Sequence, residues 1–258
     1  MVSLSVSPIA ALSDNYIWLL ADGDGNALAV DPGEAAPLQA ALTSRNLRLR
    51  AILLTHHHPD HIGGVAELTG RDPIEVHAPH DERIGMATHR VGDGDRIEIP
   101  FPTCQFEVIS VPGHTRSHVA FHGHDLLFCG DTLFSVGCGR LFEGTPAQML
   151  ESLERLAALP GETRVCCGHE YTLANCTFAL TLEPDNAALK ARFEQALTAR
   201  AANRATLPSR LSDELACNPF LRIDAPGIVE SLRCEMDDDS DRITRFAALR
   251  RLKDSFRA

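Results

Sequence analysis

No apolar stretch of this 258-residue chain is long enough to span a bilayer. Its start, MVSLSVSPIAALSDNY, also lacks the basic segment and apolar run of a secretory signal. Both absences point to a cytoplasmic protein with no membrane partner. Positive charge is scarce as well: 24 Lys and Arg stand against 35 Asp and Glu, a formal charge of −11. That balance argues against general nucleic-acid binding, which needs basic surface, and an anionic substrate would require a local basic patch. Eight cysteines show no C-x-x-C spacing, and several fall in apolar runs such as 126–129, so free buried thiols are expected. No internal repeat is visible. What is present, 44% apolar residues over a length above the usual single-domain size, implies one large or two unequal domains with ample core.

Residues 4–9, 16–20 and 27–30 alternate as strands do, with Asp22-Gly-Asp-Gly-Asn26 as a turn. A helix is expected over 37–45 and a buried strand over 51–54. Further strands are expected at 75–77, 93–99 and 106–111. Residues 111–134 read as a strand end, a loop, a hairpin turning at Gly123-His124, and another loop. Thr145-Pro146 starts a helix that runs to about 159, because a capping threonine precedes a proline in the first turn. Residues 165–167 form a last short strand. From Tyr171 onward helical patterns take over, at 173–182, 186–206 and 241–256, with 218–221 as a connector. The pattern therefore places a mixed α/β domain at 1–171 and a smaller all-helical domain at 172–258.

The densest chemistry lies at 55–64, THHHPDHIGG, between the buried strand and a helix start read at 62–68. His56, His58, Asp60 and His61 offer imidazole nitrogens and a carboxylate, the donors borderline metals such as zinc accept. With twelve histidines in the chain, His-x-His-x-Asp-His arises by chance about once in 10⁵ starts. Residues two apart in an extended loop point the same way, so His56 and His58 can share one ion while Asp60 and His61 turn toward another. Two ions need more donors. His114, Asp131 and His169 also stand on strand-end loops.

THHHPDH (55–61), PGHT (112–115), GDTLF (130–134) and CGHE (167–170), in that order, resemble the metallo-β-lactamase superfamily. SDNYIWLL (13–20), GCGRLFEGT (137–145), GHEYT (168–172), NPFLR (218–222) and LRRLKDSF (249–256) are similar to its glyoxalase II family. The resemblance covers the chain end to end. It implies a four-layer αββα sandwich with a helical domain behind it that helps bind glutathione. It further implies two divalent ions, zinc first, with iron and manganese as alternatives. His56, His58, His114 and Asp131 match the ligands of the first ion. Asp60, His61, His169 and the shared Asp131 match those of the second. Asp31 matches an aspartate that supports the ligand loop. Arg140, Phe142, Tyr171, Arg250 and Lys253 match glutathione contacts, with Arg140 where the family often has lysine and Phe142 where it often has tyrosine.

The chemistry implied is hydrolysis of a glutathione thioester, chiefly S-D-lactoylglutathione, by a metal-bridging hydroxide in a monomer. Asp60 and Asp131 would be the carboxylates of the reacting centre. A thiol has a pKa of about 8.5 and leaves without an acid partner, and no general acid stands out. Activity is therefore expected to rise with pH through one ionisation near neutrality. A persulfide dioxygenase or lactonase of the same superfamily, or a non-hydrolytic metal-binding redox module, remains as an alternative. His118, His122 and His124 read as solvated or satisfied histidines, Cys138 as part of a tight turn, and Asp237-Asp-Asp239 as a solvated charge run.

Overall fold

The computed structural model describes residues 4–70, 74–237 and 240–257. Of the acidic run at 237–239, Asp238 and Asp239 lie outside the described residues. Backbone contacts divide the chain into two compact units, Met1–Ser110 with Ser117–Gly130, and Val111–Arg116 with Asp131–Ala258. The boundary expected near residue 171 is a different division and falls inside the second unit.

In the first unit the elements are β1 (Ser5–Ala11), β2 (Asn15–Ala21), β3 (Asn26–Val30), α1 (Ala35–Ser44), β4 (Arg48–Leu53), α2 (Pro59–Ile62), α3 (Val65–Thr69), β5 (Glu75–Pro79), β6 (His89–Val91), β7 (Arg96–Pro100), β8 (Thr103–Ser110), β9 (Val119–Gly123) and β10 (Leu126–Gly130). The first six strands form one sheet in sequence order. Pairing is antiparallel from β1 to β3 and parallel from β3 to β6. β7 to β10 form antiparallel neighbours. Every residue of β2 and β3 is buried, so these strands read as continuous apolar runs rather than alternating ones. Side chains alternate between the two faces of β2. Trp18 meets Phe128 of β10, their rings 6.4 Å apart, and Phe128 meets Phe106 of β8 at 5.8 Å. Ile17 and Leu19 turn the other way, into a cluster with Leu38 of α1 and Val65 and Leu68 of α3. β7 and the first half of β8 alternate buried and exposed residues, the pattern of a sheet face open to water.

Where a helix was expected over 62–68, helix α2 ends at Ile62 and α3 runs from Val65 to Thr69. A Cβ on Gly63 would lie 2.7 Å from the Gly33 carbonyl oxygen, and one on Gly64 2.7 Å from the Ala35 nitrogen. The two glycines let segment 32–35 pack against the chain there, and the helix breaks.

The second unit contains β11 (Leu133–Phe134), β12 (Gly137–Cys138), α4 (Pro146–Ala157), β13 (Arg164–Cys167), α5 (Thr172–Leu182), α6 (Ala187–Ala201), β14 (Ser209–Arg210), α7 (Leu211–Cys217), α8 (Pro226–Ser231) and α9 (Arg242–Ser255). Thr145 and Gln148 close a capping box at the start of α4, and Met149, Leu150, Leu153 and Leu156 form its buried stripe. α5 and α6 pack around Cys176, Ala179 and Leu189, with Val136 and Cys217 in the same cluster. The helix expected to reach 206 stops at 201. Asn203 takes a left-handed conformation, and Arg204 N–H bonds back to Ala199 O while Asn203 N–H bonds to Arg200 O. That is a Schellman stop, which asparagine tolerates. α7 and α8 escaped the sequence reading because each spans under two turns. No helix among the described residues is long and apolar enough to cross a membrane.

Candidate metal centre

In the first unit the donors sit where β3 and β4 end. Asp31, just past β3, takes a left-handed φ of 52° and accepts from Thr55 N (2.8 Å), Thr55 Oγ1 (2.7 Å) and His61 Nδ1 (3.0 Å). Both carboxylate oxygens are thus committed to holding the loop after β4. With His61 Nδ1 donating to Asp31, Nε2 is the atom left to bind a metal, and it lies 3.5 Å from Asp60 Oδ2. Asn15 fixes that carboxylate, donating to Asp60 Oδ2 (2.9 Å) and to the Asp60 carbonyl (3.2 Å). His56 Nε2 and His58 Nδ1 approach to 3.0 Å, and Thr55 Oγ1 sits 3.0 Å from His56 Nδ1. Asp31, His56 and His61 also place one donor atom each within 4.8 Å of one another.

The ring between the paired histidines is anchored separately. His57 Nδ1 lies 3.4 Å from Asp81 Oδ2, which also accepts from Ser117 Oγ at 2.6 Å. Arg83, bonded to Asp81, holds its carboxyl below the usual carboxylate range. His118, read as a solvated or satisfied histidine, is buried and stacks on His56 with ring centroids 4.5 Å apart.

The second unit holds His114, Asp131 and His169, all buried. His114 Nδ1 donates to the Arg140 carbonyl at 2.9 Å. A carbonyl only accepts, so the Nδ1 proton is settled and Nε2 presents its lone pair, 3.4 Å from Asp131 Oδ2. His169 Nε2 lies 3.2 Å from the same oxygen. A carboxylate oxygen set between imidazole nitrogens suits a divalent cation, so in each unit the donor chemistry fits a bound metal. Gly139 is required beside it, since a Cβ there would lie 1.9 Å from the Asp131 carbonyl oxygen.

Around these donors stand the residues expected to meet substrate. Phe142 is 63% exposed with its ring 5.1 Å from that of His114, and the half-exposed Tyr171 stacks on His169 at 4.8 Å. Arg140 is exposed, with its Nε 3.6 Å from Asp254. Lys253 lies over the rings of Phe178 (5.1 Å) and Phe256 (5.6 Å), and its amine donates to Ala174 O at 3.3 Å. Burial, then the neighbouring charges of Arg250 and Arg140, lower its pKa to about 8. Arg250 differs from the others in being buried. It donates to Cys138 O (2.8 Å), pairs with Asp254 (3.0 Å) and lies over Phe220 (5.1 Å). Cys138 is no nucleophile: burial pushes its thiol up to about 11. Seven of the eight cysteines are buried, Cys234 is exposed, and all are free.

Sequence reasoning missed Asn15, Thr55 and Glu170 as orienting groups. Glu170 accepts from Thr206 N (2.8 Å) and Thr206 Oγ1 (2.6 Å), which ties down the turn between His169 and Tyr171. Asn15 and Glu170 lie inside the quoted motifs SDNYIWLL and GHEYT, which was the available signal.

Residues 12–169 match the profile of the metallo-β-lactamase superfamily, and residues 170–256 match that of the hydroxyacylglutathione hydrolase C-terminus. A hydroxyacylglutathione hydrolase of Xylella fastidiosa is 53% identical over 98% of both chains. One of Stenotrophomonas maltophilia is 51% identical over 99% of this chain and 100% of its own. Among solved structures, ETHE1 from Myxococcus xanthus superposes with a TM-score of 0.65 at 23% identity, covering 96% of each chain. The B3 metallo-β-lactamase BLEG-1 gives 0.65 at 24%, covering 85% of this chain and 100% of its own. These likenesses show a metallo-β-lactamase fold with a C-terminal helical region. The chain belongs to the hydroxyacylglutathione hydrolase family of the metallo-β-lactamase superfamily.

Proposed function

We propose that this protein hydrolyses the thioester of S-(2-hydroxyacyl)glutathione, S-D-lactoylglutathione above all, to glutathione and D-lactate, the hydrolytic step of methylglyoxal detoxification. The observation that carries the reading is full-length similarity at about 53% to hydroxyacylglutathione hydrolases, including the C-terminal segment at 170–256. In this reading residues 1–171 carry the metals and 172–258 help bind glutathione, in a cytoplasmic monomer. His56, His58, His114 and Asp131 would hold one ion, and Asp60, His61, His169 and Asp131 the other. Divalent ions held there, zinc in the first place, would supply Lewis-acid chemistry for activating water and for offsetting negative charge at the thioester carbonyl.

The chain's own residues do the rest. Asp31 and the Arg140 carbonyl fix the tautomers of His61 and His114, so their lone pairs are ready without reorganisation. Asn15 keeps Asp60 from swinging away. Lys253 and Arg140 supply the local positive charge that a dianionic thiol-peptide needs on a chain of charge −11. Phe142 and Tyr171 offer flat apolar walls beside His114 and His169. The thiolate leaves without a proton donor, because a thiol of pKa about 8.5 is a good leaving group near neutrality. The test is turnover of S-D-lactoylglutathione beside a thioester without glutathione, with metal analysis on the same sample. Metal uptake with no thioester turnover would replace this reading with a non-hydrolytic metal module.

A further inference from the structure

The turn between β11 and β12 is held more firmly than a two-residue hairpin needs. Leu133 pairs with Cys138 and Phe134 with Gly137, so Ser135 and Val136 make the turn. Val136 has φ 58°, a left-handed conformation that a β-branched side chain strongly disfavours. Such a conformation persists only where its surroundings over-determine it, and it gathers at functional sites. Here the surroundings are polar side chains from the helices. Glu214 of α7, fully buried, accepts from Val136 N at 2.7 Å. Asn218 donates to Phe134 O (3.1 Å) and Gly137 O (3.0 Å), and Asn175 to Ser135 O (3.0 Å). Arg192 reaches Ser135 Oγ at 2.9 Å.

The ribbon leads directly to the candidate metal ligands. One rung beyond the Leu133–Cys138 pair, Gly139 N bonds to Thr132 O at 3.1 Å, and the Gly139 backbone lies against that of Asp131. One residue further, Arg140 O takes the Nδ1 proton of His114. A tilt of the turn is therefore passed to the Asp131 carboxylate and to the His114 ring.

We propose that Glu214 is a positioning residue for the metal centre: by holding Val136 in its left-handed conformation, it sets the β11–β12 ribbon and thereby Asp131 and His114. The inference rests on the metal-site reading above. Its test is zinc affinity, measured by chelator competition on apo-protein, with helicity and melting temperature recorded in parallel. Glu214→Leu weakens zinc binding about ten- to a hundredfold, the range for lost orienting partners of metal ligands. Glu214→Gln keeps an acceptor for Val136 N–H and binds close to wild type. Glycine adopts positive φ freely, so adding Val136→Gly to Glu214→Leu restores much of the lost affinity. A merely structural role would lower the melting temperature and leave zinc affinity unmoved. A folded Glu214→Leu protein with wild-type affinity, or a double variant as weak as the single one, overturns the proposal. If Glu214→Leu does not fold, Asn175→Ala frees Ser135 O in the same turn. Weaker zinc binding is then expected, and unchanged binding overturns the proposal. A wild-type protein that takes up no zinc overturns the metal reading itself, whereas normal uptake with no effect of these variants removes only the role of Glu214.

Discussion

Lys253 and Arg250 stand three residues apart on one helix, yet their surroundings give them different tasks. The Lys253 amine is half-buried over Phe178 and Phe256, and its pKa is lowered to about 8. If Lys253 meets the anionic substrate as proposed, affinity should be full below about pH 8 and decline as pH rises through it, because the substrate prefers the charged amine. KM for a glutathione thioester is therefore expected to be flat to about pH 8 and to climb above it, while kcat keeps its single rise near neutrality. An alkaline limb in kcat/KM then comes from substrate binding and asks for no general acid. Lys253→Ala should raise KM about tenfold to a hundredfold, as for loss of a charge-assisted contact, and should abolish the alkaline bend. A bend that survives the substitution refutes this assignment. Arg250, buried on Cys138 O and Asp254, is part of the scaffold as well as the charge. Arg250→Ala leaves a buried carbonyl without its donor, so a loss of about 1–3 kcal/mol in stability should accompany any change in KM. Denaturant titration checks it, and an unchanged midpoint would contradict the burial argument.

At the scale of elements, caps and close approaches carry the predictions. Thr145 and Gln148 close the start of α4 through both halves of a capping box. Thr145→Ala should lower stability by about 1 kcal/mol and leave kcat unaltered, because its side-chain hydrogen bonds go to Gln148. Gly139→Ala is the opposite case. Its Cβ would sit 1.9 Å from the Asp131 carbonyl oxygen, and backbone cannot step aside as a flexible side chain can. Overpacking of about 1–3 kcal/mol is expected, together with loss of bound metal. Wild-type metal content in that variant would show that Asp131 tolerates the shift. The helix starts at Thr145 and near Tyr171 were legible because capping and periodicity are local signals. The gap at Gly63-Gly64 between α2 and α3 was not, since segment 32–35, which packs there, lies some thirty residues away in sequence.

For the whole molecule, two metal ions per chain are expected. Asp131→Ala should remove metal and activity together, and a fully loaded wild-type protein with one ion per chain would refute the binuclear reading. Ions that bind the folded state add stability by mass action, so a chelator should lower the melting temperature and zinc should restore it. An unchanged melting temperature on verified metal loss would show that the unfolded chain binds the ions as tightly as the folded one. The sequence by itself determined the kinds of donor, their place at strand ends, the shift from strands to helices near Tyr171 and the family. Each of these is written in spacing, periodicity or motif, which a chain carries before it folds. Only the tertiary structure decided that Asp31 has both carboxylate oxygens committed to the ligand loop, that Arg250 is buried while Lys253 is half-exposed, and that Glu214 grips Val136. Those facts depend on partners 78 residues apart for Glu214 and Val136, and 112 for Arg250 and Cys138. Burial and hydrogen-bond partners at such separations exist only once the core has closed around them.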